Sequence, residues 1–135
     1  MLTAILRGRV KVVPRFDRTE LPALLKGYQI KLFPTLMEGF SLALVEAMAC
    51  GLAPIVTSTP GPLEIVQDGH DGLVVPVRDS RAMERALERL ITDRALLDKL
   101  RRNAHAKVQA YSWSQIAQQR LQLYEEFSPS RELGN

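Results

Sequence analysis

Phe33-Pro34-Thr35-Leu36-Met37-Glu38-Gly39-Phe40-Ser41-Leu42-Ala43-Leu44-Val45-Glu46-Ala47-Met48-Ala49-Cys50-Gly51 is the stretch on which the fold turns. It reads as the end of a strand, a tight glycine-bearing loop, and a helix with both boundaries marked. Ser41 suits the N-cap, where its hydroxyl accepts from an orphan amide of the first turn. Residues 42–50 are strong helix formers, and Gly51 suits the left-handed position just past the end. Glu38 sits in the loop and Glu46 eight positions later, inside the helix. A loop of free amides at a helix N-terminus favours anions. Carboxylates beside it suit a ligand that carries hydroxyl as well as phosphate groups.

The surrounding chain has 135 residues, enough for one modest domain with a core. Its hydrophobic fraction of 46% and charged fraction of 24% are those of a globular protein, and no apolar run approaches a membrane span. Residues 2–6 form only a short apolar patch without a cleavage pattern, which argues against a signal peptide. The lone Cys50 excludes an internal disulfide, fits a reducing compartment, and reads as a small buried hydrophobe on the helix. With no His or Cys cluster around it, a metal site is rejected. The net charge is +3, and its distribution says more than its size: Lys and Arg crowd residues 7–31 and 78–107, with none between Glu38 and Val77. An anion held at the opening motif therefore relies on backbone amides or on cations brought from elsewhere in the fold.

Outward from the motif, β-branched and apolar runs alternate with helical patterns. Residues 9–14, 28–33, 53–58 and 73–77 read as strands, with Lys31 marking the second as an exposed edge. Residues 20–27 and 63–67 read as short helices, 59–62 (Thr-Pro-Gly-Pro) as a rigid turn, and 68–72 (Asp-Gly-His-Asp-Gly) as a turn cluster. Glu64 reads as a structural capping residue and His70 as an exposed turn residue. Asp79 or Ser80 caps a helix with Met83, Leu87, Leu90 and Ile91 at helical spacing. Its Arg81, Arg85 and Arg89, interleaved with Glu84 and Glu88, read as a solvated salt-laced face rather than a nucleic-acid patch. A helix follows from about residue 93 to 108, and Ser112 with Gln115 opens a last one, from Trp113 to about residue 127, before a tail at 128–135. Strands that are unbroken apolar runs indicate a parallel sheet covered on both faces. The expectation is an α/β fold: a partial Rossmann-like parallel sheet of about four strands flanked by helices, with a helical C-terminal third and one domain over residues 1–127.

Residues 38–41 and 46–51 resemble the retaining family-4 glycosyltransferases of the GT-B fold, whose signature places two Glu either side of seven residues in a Pro-Ser-x-x-Glu-Gly-Phe setting, followed by Glu-Ala-Met-Ala-Cys-Gly. Pro54-Ile55-Val56, Glu64-Ile65-Val66, Asp68-Gly69, Gly72-Leu73-Val74-Val75-Pro76, Asp79 and Tyr111-Ser112-Trp113 extend the likeness over nearly the whole chain. The resemblance implies metal-independent sugar transfer with retention from a nucleoside-diphosphate sugar, with no cofactor beyond that donor. It implies that Glu38 is the catalytic carboxylate and binds the donor-sugar hydroxyls, and that Glu46 takes the ribose hydroxyls. The amides of Gly39, Phe40 and Ser41 approach sugar and diphosphate, and Gly61 flanks the same pocket.

The likeness also marks what this sequence does not contain. The family's acceptor domain and the first strand-helix pair of its donor domain, with the Arg and Lys that neutralise the diphosphate, have no counterpart in these residues. Arg15 is the nearest candidate substitute in sequence. In the Rossmann order 3-2-1-4-5-6, residues 10–14 take the place of strand 3 without strands 1 and 2 beside them. They then pair out of register, lie loose, or dock on strand 4. The expected partners are the nucleotide-sugar donor, a glycan or lipid acceptor, and either an N-terminal domain or a second copy at the open sheet edge. No nucleic acid is expected. The expected location is cytoplasmic, at or near the inner membrane face. The competing reading is a non-catalytic nucleotide-sugar-binding or interaction module.

Overall fold

A computed structural model describes residues 8–112 together with 114, 115, 117, 118, 121 and 122. Three parallel strands form the sheet: β1 (Ile30–Phe33), β2 (Ala53–Thr57) and β3 (Leu73–Val75), in the order β1-β2-β3. Ile30 pairs with Ala53 and Phe33 with Val56; Ile55 pairs with Leu73 and Thr57 with Val75. Around the sheet pack α1 (Leu21–Leu25), α2 (Leu42–Ala49), α3 (Pro60–Ile65), α4 (Ser80–Thr92) and α5 (Arg94–Val108). All five residues of β2 are buried, as a central strand covered on both faces requires.

The core has two halves. Leu44 and Met48 of α2 join Val56, Ile65, Val66, Ala104 and Val108 in one. Ala53, Ile55, Leu73 and Val75 join Leu90 of α4 with Leu97 and Leu100 in the other. The period-2 alternation of β2 splits its side chains between them. α5 serves both, and its polar side chains meet the chain just before each strand. Arg94 donates to the Gln29 side chain at 3.0 Å, Arg101 to the Gly51 carbonyl at 2.7 Å, and Asn103 to the His70 carbonyl at 2.7 Å. α5 thus runs beneath the amino ends of β1, β2 and β3 and leaves their carboxyl ends uncovered by it.

Four expectations are corrected. Residues 9–14 form no strand: they take no ladder partner among the described residues, and Val10 and Val12 stand exposed. A β-branched run becomes a strand only against another edge, and the neighbours that would offer one are not in the described sheet; of the three outcomes weighed, the segment lies loose. The turn expected at 59–62 is helical, because Pro60 and Pro62 fall in the first turn of α3, where a missing N–H costs nothing. Ile91 faces solvent rather than the core. The helix expected at 20–27 is a 3-10 turn (Arg18–Glu20) followed by the five-residue α1.

The other boundaries agree within a residue or two. β1 lies at the sheet edge, as Lys31 implied, with the Lys31 ammonium 5.6 Å from the Phe33 ring. Gly51 takes φ +80°, and Asp79 rather than Ser80 caps α4 by accepting from the Ala82 amide at 2.8 Å. Arg81, Arg85 and Arg89 are exposed. In the last helix the described positions are helical and Ser112 Oγ accepts from the Gln115 amide at 3.2 Å, but Leu121 is exposed. Trp113, Ile116, Leu123, Tyr124, Phe127 and the tail lie outside the described residues, as do residues 1–7.

Candidate functional site

The loop between β1 and α2 stands at the carboxyl end of the sheet and is pinned by three contacts. Thr57 Oγ1, at the end of β2, donates to the Thr35 carbonyl, and Thr35 Oγ1 donates to the Met37 carbonyl at 2.9 Å. The Gly61 amide donates to the Glu38 carbonyl at 3.3 Å. Gly61 is pressed so close to this loop that a Cβ there would sit 1.7 Å from the Gly39 carbonyl oxygen. Gly61 therefore fixes the loop that bears Glu38, and its work there is backbone packing.

Gly39 presents the opposite case. It does not take a left-handed φ, and nothing lies within 4 Å of where its Cβ would be. The fold itself makes no demand for glycine at this position. Among the described residues, no acceptor meets the amides of Gly39, Phe40 or Ser41. Ser41 is 5% exposed, and its hydroxyl is spent on the cap, accepting from the Leu44 amide at 3.3 Å. The half-exposed Phe40 ring leans on Tyr111, with centroids 5.8 Å apart.

The two carboxylates sit in different surroundings. Glu38 is half-buried, and its side chain has no hydrogen-bond partner among the described residues. Glu46, one helical turn in from Leu42, receives Arg18: the guanidinium Nε donates to Oε1 at 3.1 Å, and Nη2 donates to the same oxygen. Arg15, the sequence candidate for a cation here, makes no such contact, and the fold brings Arg18 in its place. The signal for this was legible but local. Asp17-x-x-Glu20 is a capping box that ties down the turn from which Arg18 projects. Which acid Arg18 meets, 28 residues on, is written nowhere in the local sequence. Next to Glu46, burial and then the Glu46 charge push the Cys50 thiol up from its ordinary value.

Beside the loop, a crevice of about 290 Å³ opens at the carboxyl ends of all three strands, between Pro34, Thr57, Pro76 and Arg78. In open α/β sheets ligands settle outside these ends. Arg78 holds φ +59° there, a strained conformation for a side chain with a Cβ, and is a second cation that sequence reading passed over. Nearby, Thr59 Oγ1 is buried without a hydrogen-bond partner among the described residues. A larger cleft of about 520 Å³, between Tyr28, Gln29, Ala49, Cys50 and Arg101, lies at the opposite end of the strands, away from Glu38 and the α2 N-terminus. Among the described residues, no group of three or more His, Cys, Asp and Glu is placed to hold a metal ion, and no helix is long and apolar enough to cross a membrane.

Residues 1–107 match the family model described as glycosyl transferases group 1. A sucrose-phosphate synthase of Zea mays is 39% identical over 101 residues, which cover 75% of this chain and 9% of that protein. The sucrose-phosphate synthase structure from Thermosynechococcus elongatus superposes with a TM-score of 0.81 at 31% identity, over 93% of this chain and 33% of that one. An Anabaena protein solved in complex with UDP-glucose shares the fold, with a TM-score of 0.79 at 24% identity, over 90% of this chain and 34% of that one. The chain thus spans about a third of these solved structures and a smaller part of the maize protein.

Proposed function

Because the chain belongs to the glycosyl transferases group 1 family, we propose that it binds a nucleoside-diphosphate sugar at the 38–41 loop and the N-terminus of α2, as the donor-binding part of a glycosyltransferase. Gly39 carries this reading: a glycine that neither φ nor packing requires, in a loop of unmet amides, leaves room for a ligand to approach the backbone.

In this reading the Glu46 carboxylate accepts from the ribose hydroxyls through the oxygen that Arg18 leaves free. Glu38, the catalytic carboxylate, accepts from hydroxyls of the donor sugar and holds its anomeric carbon towards the acceptor. The amides of Gly39, Phe40 and Ser41 donate to the sugar and diphosphate oxygens. Negative charge grows on the diphosphate as the glycosidic bond breaks. The positive end of α2 and these fixed amides stabilise that charge where it appears, without reorganising. The reading includes retention at the anomeric centre and a departure that needs no metal. The acceptor, a glycan or a lipid, is held outside the described residues.

UDP-glucose is the first donor to test, since the Anabaena protein was solved with it. Calorimetric titration of the chain with UDP-, GDP- and ADP-glucose should give saturable binding for one of the three. Glu46→Ala should weaken that binding at least tenfold, the scale of losing two hydrogen bonds to a charged group. If no donor binds, or if Glu46→Ala leaves binding unchanged, the assignment of this loop fails.

A further inference from the structure

The Arg18–Glu46 pair carries an inference that rests on the donor-site reading above and extends it. We infer that Arg18 is an exchangeable cation of the donor site: it neutralises Glu46 and, when ribose hydroxyls compete for that carboxylate, transfers to the diphosphate of the same ligand.

Four observations converge on Arg18. No Lys or Arg occurs between Glu38 and Val77, so positive charge reaches this loop only through tertiary contact. Among the described residues, Arg18 is the cation that ion-pairs with the motif helix, whereas Arg101 meets the Gly51 carbonyl beyond its far end. The two Arg18 nitrogens meet one oxygen of Glu46 rather than forking across both, which leaves the other oxygen without a partner among the described residues. The pair is also weak by position: with the Arg18 side chain 71% exposed, it is readily outbid by two charge-assisted hydrogen bonds from a diol.

The reach suffices as well. Glu46 lies four residues along α2 from Leu42, about 6 Å in axial rise, a separation comparable to the length of an arginine side chain. The Arg18 backbone meanwhile stays fixed. Asp17 accepts from the Thr19 amide and hydroxyl at 2.8 and 2.6 Å, and Glu20 accepts from the Asp17 amide at 2.8 Å. A rigid base with a mobile charged arm suits a group that must leave one oxygen for another, and guanidinium suits both carboxylate and phosphate.

Exchange predicts opposite signs for two ligands that differ only in phosphate. The experiment titrates the 135-residue chain and its Arg18→Ala and Arg18→Lys variants with matched pairs: uridine and UDP, guanosine and GDP, adenosine and ADP. For the base that binds, Arg18→Ala should weaken the diphosphate about tenfold, the scale of one charge-assisted contact, and tighten the nucleoside a few-fold, because no pair has to be broken. Arg18→Lys should restore part of the diphosphate affinity. Melting temperatures within about a degree or two of the parent establish that the exposed substitution spared the fold. If both ligands shift in the same direction, or neither shifts, Arg18 is a surface ion pair only and the inference falls. A Glu46→Gln variant tells the two failures apart. If it leaves nucleoside binding intact, or if the parent chain binds none of the six ligands, the donor-site reading fails and takes the inference with it. If Glu46→Gln weakens the nucleoside while Arg18→Ala changes nothing, only the role of Arg18 is lost.

Discussion

Gly39 and Gly61 stand on either side of one backbone contact, yet they are glycines for opposite reasons. At Gly61 a methyl group would overlap the Gly39 carbonyl, and the obstacle is backbone that cannot swing aside. Gly61→Ala should therefore destabilise by about 3 kcal/mol or more, or displace the loop, as overpacking against backbone does. At Gly39 a methyl meets nothing and φ is ordinary, so Gly39→Ala should leave stability within about 0.5 kcal/mol of the parent. The same change should reduce donor binding severalfold. Chemical denaturation and calorimetry on the two variants check both halves. A Gly39→Ala protein that binds donor normally would leave that glycine without a functional role. The resemblance assigned both glycines to one pocket, but sequence could not divide their roles. Space around a Cβ is a tertiary quantity, set for Gly61 by a loop 22 positions earlier.

At the scale of elements, α5 is the brace. Two of its residues grip the chain ahead of β3: Asn103 holds the His70 carbonyl, and Lys107 reaches Asp71 at 2.8 Å. Asp71 is 1% exposed and also accepts from the Gln67 amide at 2.7 Å, while His70 Nδ1 stands 3.5 Å from its other oxygen. Sequence reading saw residues 68–72 as a turn cluster and missed that Asp71 is a buried anchor. Turn composition marks where the chain reverses; whether an aspartate in the turn points inward depends on a lysine 36 residues later. Asp71→Ala leaves the Gln67 amide and the Lys107 ammonium without their acceptor, at an expected loss of about 2–4 kcal/mol. Urea unfolding should show this as a lower midpoint with an unchanged slope. A loss below about 0.5 kcal/mol, the size of an ordinary surface substitution, would remove α5 from its role as brace at this turn.

At the scale of the molecule, sheet and braces divide the work between two ends. α5 closes the amino ends of the strands, and the motif loop, the start of α2 and the crevice occupy the carboxyl ends. The larger cleft falls on the closed end, away from the proposed donor loop. Whole-molecule stability also feels Cys50, the last residue before Gly51. Its thiol is raised in the folded chain by burial and by Glu46, so folding favours the protonated form. That contribution is fully present below the thiol's unfolded value and is lost as pH rises through the folded one. Comparing urea midpoints near pH 8 and pH 10, the parent should lose more stability than Cys50→Ala, a difference that cancels the titration of lysines and tyrosines common to both. Equal losses would mean that the folded environment leaves the thiol unperturbed.

The sequence by itself determined the alternation of strand and helix, the parallel α/β class, the edge position of β1, the cap at Ser41, and the left-handed Gly51, and it narrowed the α4 cap to Asp79 or Ser80. Each is fixed by periodicity, by a side chain bonding a backbone group two or three residues away, or by φ, and these are short-range matters. Tertiary structure alone decided that residues 9–14 form no strand, because a strand exists only against a partner. It decided as well that Gly61 holds the loop at Glu38, that Asp71 is buried beneath α5, and that Arg18, not Arg15, meets Glu46. Those outcomes depend on groups distant in the chain, whose separation in space no local pattern encodes.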